Sequence, residues 1–217
     1  MATITSPDTP VELNPIVAPD DRLGLDPGVG HSPVETNPVA PDGALYEVVD
    51  GVVVGTSSMG AYPVKLATTL GIHLGIHLLA HPSGQISIEG LFRIDARNQK
   101  RPDVAFISHE RWPRGRRPPD GDPWEVIPDL AIEVISKSDL AWDVLAKVRH
   151  YLDAGVRAVW LVYPKEEVIH IYESFANIRV LTRADELDGG DVIPGFRLPL
   201  ASLFEEEAEG EAAGPAA

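Results

Sequence analysis

The chain has 217 residues, of which 44% are hydrophobic, with 20 prolines, no cysteine and a formal net charge of −15. That length and apolar content suit one compact domain with loose ends. The lack of cysteine excludes disulfides, zinc–thiolate sites and thiol nucleophiles, and it suits a reducing cytoplasm, where the protein is expected to act. Residues 1–20 show no basic region followed by an apolar stretch, so no signal peptide is read there. No apolar run reads as a bilayer span of ~20 residues, so no membrane partner is expected.

Residues 1–44 hold eight prolines and no periodic apolar pattern. Such a segment buries too little surface to offset its ordering entropy and is expected to be disordered or draped over the rest. Regular structure begins at Leu45. Asp50-Gly51, set between Tyr46-Glu47-Val48-Val49 and Val52-Val53-Val54, predicts a hairpin. Residues 61–80 read as a helix, with Leu66, Leu70, Leu74 and Leu78 at i+4 spacing and Pro82 beyond its end. Gln85–Ile94 alternates like one strand. Asp103–Ser108 and Leu130–Ser136 are short apolar strands, separated by a Pro/Gly/Arg-rich loop from Trp112 to Trp124. Ser138 is placed to cap a helix over Asp139–Ala154, whose apolar stripe is Leu140, Val144, Val148 and Leu152 and whose stop is Gly155. Strands follow at 158–163, 168–172 and 178–182. Residues 205–217 form an acidic, low-complexity tail. The order predicts an α/β domain over residues 45–204, a mixed sheet flanked by helices with an N-terminal hairpin and C-terminal strands.

Charge is unevenly spread. Residues 1–44 carry −6 and the tail −5, which leaves −4 for the domain. Between residues 93 and 117, eight bases face three acids, so a positive belt brackets Asp103. A solvated loop explains such a belt as well as a nucleic-acid contact does, and charge alone does not decide between them.

Glu133 is the anomaly. It lies inside Leu-Ala-Ile-Glu-Val-Ile, a run apolar enough to be buried on both faces. A carboxylate there costs several kcal/mol unless it is paired, hydrogen-bonded or metal-bound. Asp103, after Pro102, is ordinary by itself. Lys147 borders the buried stripe of the second helix and can reach toward the sheet or pair with Asp143 at i−4. His73, His77 and His81 recur at i+4, but with no cysteine and no intervening Glu they read as helix-face residues rather than zinc ligands. Ser57, Ser58 and Ser136 lack the surroundings of a nucleophile.

Pro102-Asp103, Glu133-Val134-Ile135-Ser136, Lys147 ahead of Tyr151–Val156, Val159-Trp160-Leu161-Val162 and the closing Glu186–Phe196 resemble the Uma-type family of restriction-endonuclease-like proteins, within the PD-(D/E)xK nuclease superfamily. The resemblance runs through residues 45–204. It implies a metal-dependent endodeoxyribonuclease with Mg2+ or Mn2+ as cofactor and DNA as partner. It makes Asp103 and Glu133 the metal-binding and catalytic carboxylates. Ile135 stands where the superfamily motif has lysine, so the catalytic lysine is assigned to Lys147, with Lys137 in reserve. Glu89 is a candidate third metal ligand, ahead of Glu47. Arg114, Arg116 and Arg117 are the expected nucleic-acid contacts, in a loop read as mobile. A homodimer is compatible with cutting two strands. The acidic chain and the displaced lysine also admit a catalytically inactive nuclease-fold binding or regulatory module.

Overall fold

Val49 and Val52 face each other across Asp50 and Gly51, whose φ values of 52° and 83° make the two-residue turn that matches strand twist. This is the predicted hairpin, β1 (Tyr46–Val49) and β2 (Val52–Gly55). The computed structural model describes residues 44–56 and 59–205. The Pro-rich segment up to residue 43, Ser57, Ser58 and the tail from residue 206 lie outside the described residues.

The domain is built on a six-stranded mixed sheet between two helical layers. Its strands are β3 (Gly84–Ile88), β6 (Val104–Ser108), β7 (Leu130–Val134), β8 (Ala158–Tyr163), β9 (Val168–Tyr172) and β10 (Ile178–Thr182), in the order β10-β9-β8-β7-β6-β3. Only β7 and β8 run parallel, joined by the crossover helix α2 (Ala141–Ala154). A smaller sheet, β2-β1-β5-β4, combines the hairpin with β4 (Phe92–Arg93) and β5 (Gln99–Lys100). Near the C-terminus β11 (Glu186–Asp188) pairs with β12 (Arg197–Pro199), ahead of the short helix α3 (Leu200–Leu203).

Strand parity divides the core in two. Val104, Phe106, Leu130, Ile132, Trp160 and Val162 point to one face and pack under α1 (Ala61–Ala80), whose Leu66, Leu70, Leu74 and Leu78 are buried as predicted. Ala105, Ile107, Ala131, Val159 and Leu161 point to the other face, covered by Val144, Val148 and Tyr151 of α2. Trp112 and Trp124, ring edge to ring face at 5.1 Å, close the second layer together with Phe92.

Several expectations are corrected. Gln85–Ile94 is not one strand. Glu89 adopts a positive φ of 48°, and the chain leaves β3 there to enter the smaller sheet. Gly90 permits the turn, because a Cβ on it would lie 2.3 Å from the Ser87 hydroxyl. Ser138 does not cap α2. The N-cap is Leu140, and the preceding turn is tied by the Asp139 carboxylate accepting the Ser136 N–H. Leu140 is exposed and Leu152 only half-buried, so Tyr151 completes the buried stripe instead. Gly155 does terminate the helix in the left-handed region, φ 96°. By length and apolar content α1 would also qualify as a bilayer span, contrary to the sequence reading, but its leucine stripe lies in the core.

Leu74 is fully buried at the centre of the α1 layer. Leu74→Ala is expected to lower stability by about 2–5 kcal/mol, measured by urea unfolding, through lost burial and a residual cavity.

Candidate active site

Two antiparallel registers build the site. Between β6 and β7, Val104 pairs with Ile132, so the next step outward sets Asp103 opposite Glu133 on the α2 face. Between β1 and β5, Val48 pairs with Gln99, so the next step sets Glu47 opposite Lys100. The Lys100 ammonium donates to Glu47 Oε2 at 3.1 Å, a pair almost wholly out of solvent.

Lys147 joins these two cross-strand pairs. Its Nζ lies 3.0 Å from Glu47 Oε1 and 3.1 Å from Glu133 Oε2. The Tyr151 hydroxyl, one turn further along α2, donates to Glu133 Oε1 at 2.7 Å. Glu47 Oε1 also accepts the Arg101 N–H at 3.1 Å. Asp103 Oδ2 accepts the Val134 N–H at 2.6 Å. A pocket of about 120 Å³ opens beside these groups, lined by Glu133, Lys147, Leu140, Asp143, Val144 and Leu161 among others.

The structure therefore brings Asp103, Glu133 and Lys147 together. Lys147 reaches the sheet and does not pair with Asp143. Lys137 is exposed and makes no bond to the cluster among the described residues. Glu89 sits on the strained turn, its N–H bonded to the Asp103 carbonyl and its carbonyl accepting from Arg101. Its carboxylate is near enough to act on Asp103 through charge. No three His, Cys, Asp or Glu side chains gather closely enough to ligate one ion among the described residues. His77 Nε2 is engaged with the Pro194 carbonyl and its ring stacks on His81, an arrangement of face residues.

Most of the basic belt is paired within the chain, although half of its side chains stay exposed. Arg93 pairs with Glu125, Arg101 with Asp122 and Arg111 with the buried Asp129, while Arg97 donates to the Asp50 carbonyl. The loop is anchored at its two ends by buried Trp112 and Trp124, with residues 113–122 exposed between them. Arg116 lies over the Trp112 ring at 3.8 Å, and Arg117 forms an exposed pair with Asp120. Arg114 is exposed and without a partner among the described residues. Sequence reasoning passed over Lys100 and Tyr151 and ranked Glu47 last. No local signal marks Lys100 or Glu47, since alternation puts Glu47 and buried Val48 on opposite faces and only the β1–β5 register brings Glu47 to Lys100.

Three carboxylates (Glu47, Asp103, Glu133) share this buried cluster with two ammonium groups (Lys100, Lys147). The surplus negative charge settles on Asp103. Burial, and then the Glu133 charge, push its carboxyl up to about 7, against the opposing Val134 N–H and Lys147. Burial also raises Glu133, with Lys147 opposing. Burial acts to raise Glu47 too, but Lys147 and Lys100 outweigh it and hold that carboxyl below its usual range. Burial alone would lower Lys147; Glu133 and Glu47 reverse this and hold it above the ordinary lysine value, charged at any ordinary pH. A hard divalent cation suits such a donor set, since oxygen ligands and uncompensated negative charge are what it requires. The folded Asp103 binds its proton more tightly than the unfolded chain does, so its contribution to stability is present at low pH and lost as pH rises through about 7. Without metal, Asp103→Asn is therefore expected to raise the Tm more at pH 8 than at pH 5, by about 2–4 °C or more, in paired thermal melts.

Comparison with known proteins bears on the same residues. The Uma2 family, described as "Putative restriction endonuclease", matches residues 35–201. A solved structure described as "a putative nuclease belonging to DUF820", from Anabaena variabilis, superposes with a TM-score of 0.65 at 16% identity, covering 73% of this chain and 89% of that one. That likeness confirms the fold, a mixed sheet flanked by helices. No curated protein matches the chain. Through a match that spans most of its length and takes in Glu47, Asp103, Glu133 and Lys147, the chain belongs to the Uma2 family of restriction-endonuclease-like proteins.

Proposed function

We propose that this protein is a Mg2+-dependent endonuclease that hydrolyses DNA phosphodiester bonds at the pocket beside Glu133. The observation that carries the reading is the Asp103–Glu133 cross-strand pair, in a cluster one positive charge short of balance, with Glu133 and Lys147 lining a pocket. Asp103 and Glu133 would hold the ion, with Glu89, whose charge acts on Asp103, as a further carboxylate; Mn2+ is the natural substitute. The ion supplies Lewis-acid polarisation of the phosphate and a bound water of lowered pKa.

The side chains divide the remaining work. Lys147 stays protonated, so it serves as a fixed charge that steadies negative charge developing on phosphorus rather than as the base. Glu47 and Glu133 hold that ammonium in place. The Tyr151 hydroxyl fixes the rotamer of Glu133, so that carboxylate is preset before substrate arrives. Arg114 is the belt residue best placed to meet a backbone phosphate, and the Arg117–Asp120 pair is exposed enough to open for one.

One observation favours a second reading, an inactive nuclease-fold module. Both Glu133 oxygens already accept hydrogen bonds, and no third acid closes on the pair among the described residues. Calorimetry separates the readings. Heat of Mg2+ or Mn2+ binding that disappears in Asp103→Asn supports the nuclease, while no binding by folded protein leaves the module.

Cleavage of supercoiled plasmid with Mg2+ or Mn2+ tests the assignment directly. Glu133→Ala and Lys147→Met are expected to slow it at least 100-fold; a Glu133→Ala protein that cuts like wild type would falsify the site. Arg114→Ala is expected to weaken DNA binding across sequences and to reduce the slope of log K against log salt by about 1, read from titrations at several salt concentrations.

A further inference from the structure

Helix α1 carries two apolar stripes. Leu66, Leu70, Leu74 and Leu78 form the buried one. The other faces outward through Val64, Ile72, Ile76 and Leu79, the last three 55%, 60% and 85% exposed. Ile88 on the edge strand β3, itself half exposed, continues this outer stripe across the junction with α1. From Leu66 to Ala80 the helix has no Asp, Glu, Lys or Arg, in a chain where 24% of residues are charged. Exposed aliphatics on this scale mark an interaction surface rather than ordinary scatter.

Gly75 adds an independent observation. It lies mid-helix among Ile72, Ile76 and Leu79, and a Cβ built on it meets nothing within 4 Å. Nothing among the described residues requires glycine there, and glycine weakens a helix relative to alanine. Gly71 differs, since its missing Cβ leaves room for Ile88 Cδ1, which would otherwise lie at 2.8 Å. A gap at Gly75, flanked by ridges at Ile72, Ile76 and Leu79, is the relief that lets a second helix approach closely.

We propose that this face joins two copies of the chain, α1 against α1 about a twofold axis, with Gly75 at the crossing. The occupant follows from charge and shape. Two copies of a chain of net charge −15 repel wherever acidic surfaces meet, and this stripe, which holds no acid and only Lys65 as a charged side chain, is a face where that cost vanishes. A twofold contact needs one patch that complements itself, and this one offers both ridge and gap. The exposed stripe from Val64 to Leu79 is only about 22 Å long, so the contact falls below the usual ~800 Å² per partner and gives a weak, reversible dimer. The candidate active site lies on the opposite face of the six-stranded sheet, so pairing leaves both pockets open. The proposal stands apart from the nuclease reading, because its test involves no cleavage.

Sedimentation equilibrium of the full chain from about 1 to 200 µM is the test. The expected result is a reversible monomer–dimer equilibrium in wild type, weakened at least tenfold by Leu79→Glu. Gly75→Leu should weaken it similarly by bulk without adding charge, and it strengthens the helix, so loss of folding cannot account for its effect. Wild type monomeric at every concentration overturns the proposal, including the case in which it floats instead with phosphatidylcholine vesicles. A dimer unchanged in both variants, with native circular dichroism, places the contact elsewhere and overturns it equally.

Discussion

A single ammonium group holds the architecture together at its functional end. Lys147 reaches from α2 to Glu133 on the large sheet and to Glu47 on the small one. The small sheet has little core of its own: β4 and β5 are two residues each, and β2 is largely exposed. Its orientation therefore depends on Phe92 packed into the second core layer and on specific ties, namely this ammonium, the Glu47–Lys100 pair and the Arg101 guanidinium gripping the Tyr46 and Glu89 carbonyls. A buried ion pair of this kind adds little net stability over a well-packed apolar substitute, because desolvation offsets most of the attraction. What it supplies is geometry, since each carboxylate admits only a few donor directions.

The same economy explains where the acidity resides. Glu133 keeps its place in an apolar strand because two donors, Lys147 and Tyr151, come from the helix that covers it. Asp103 receives one backbone N–H and lies next to another negative charge, so it is the carboxylate left uncompensated. The imbalance is local by construction. A neutral neighbour in place of either acid would relieve the repulsion between them.

Much of the frame was legible because it rests on short-range periodicity. The Asp50-Gly51 turn, the leucine stripe of α1 and the strands at 158–163, 168–172 and 178–182 appear where alternation and spacing put them. The failures share a cause, which is that partners distant in sequence decide the outcome. Gln85–Ile94 alternates throughout, yet Glu89 turns because Arg101 and the Asp103 carbonyl take up its backbone groups. Ser138 has the right chemistry for a cap, but Asp139 ties the turn first. In the site, Glu133 was conspicuous as a charge in an apolar run, and the family resemblance supplied Asp103 and Lys147. Lys100 and Glu47 stayed hidden, because two residues of β5 show no pattern until β1 is laid beside them. Of the eight bases between residues 93 and 117, four are exposed as a surface belt would be, while most are engaged by partners in the same chain.

The Glu47–Lys147 contact also has a consequence in time. It joins two points 100 positions apart, and closing so wide a loop carries an entropy cost that grows with the logarithm of its length. Local pieces such as the β1–β2 hairpin and α1 can form early; the cluster requires β1, β5, β6, β7 and α2 together. During synthesis the ion cluster therefore cannot close until α2 has left the ribosome, by which point roughly two-thirds of the domain has already emerged. The charges that define the pocket meet late, after the apolar layers have a scaffold to hold them.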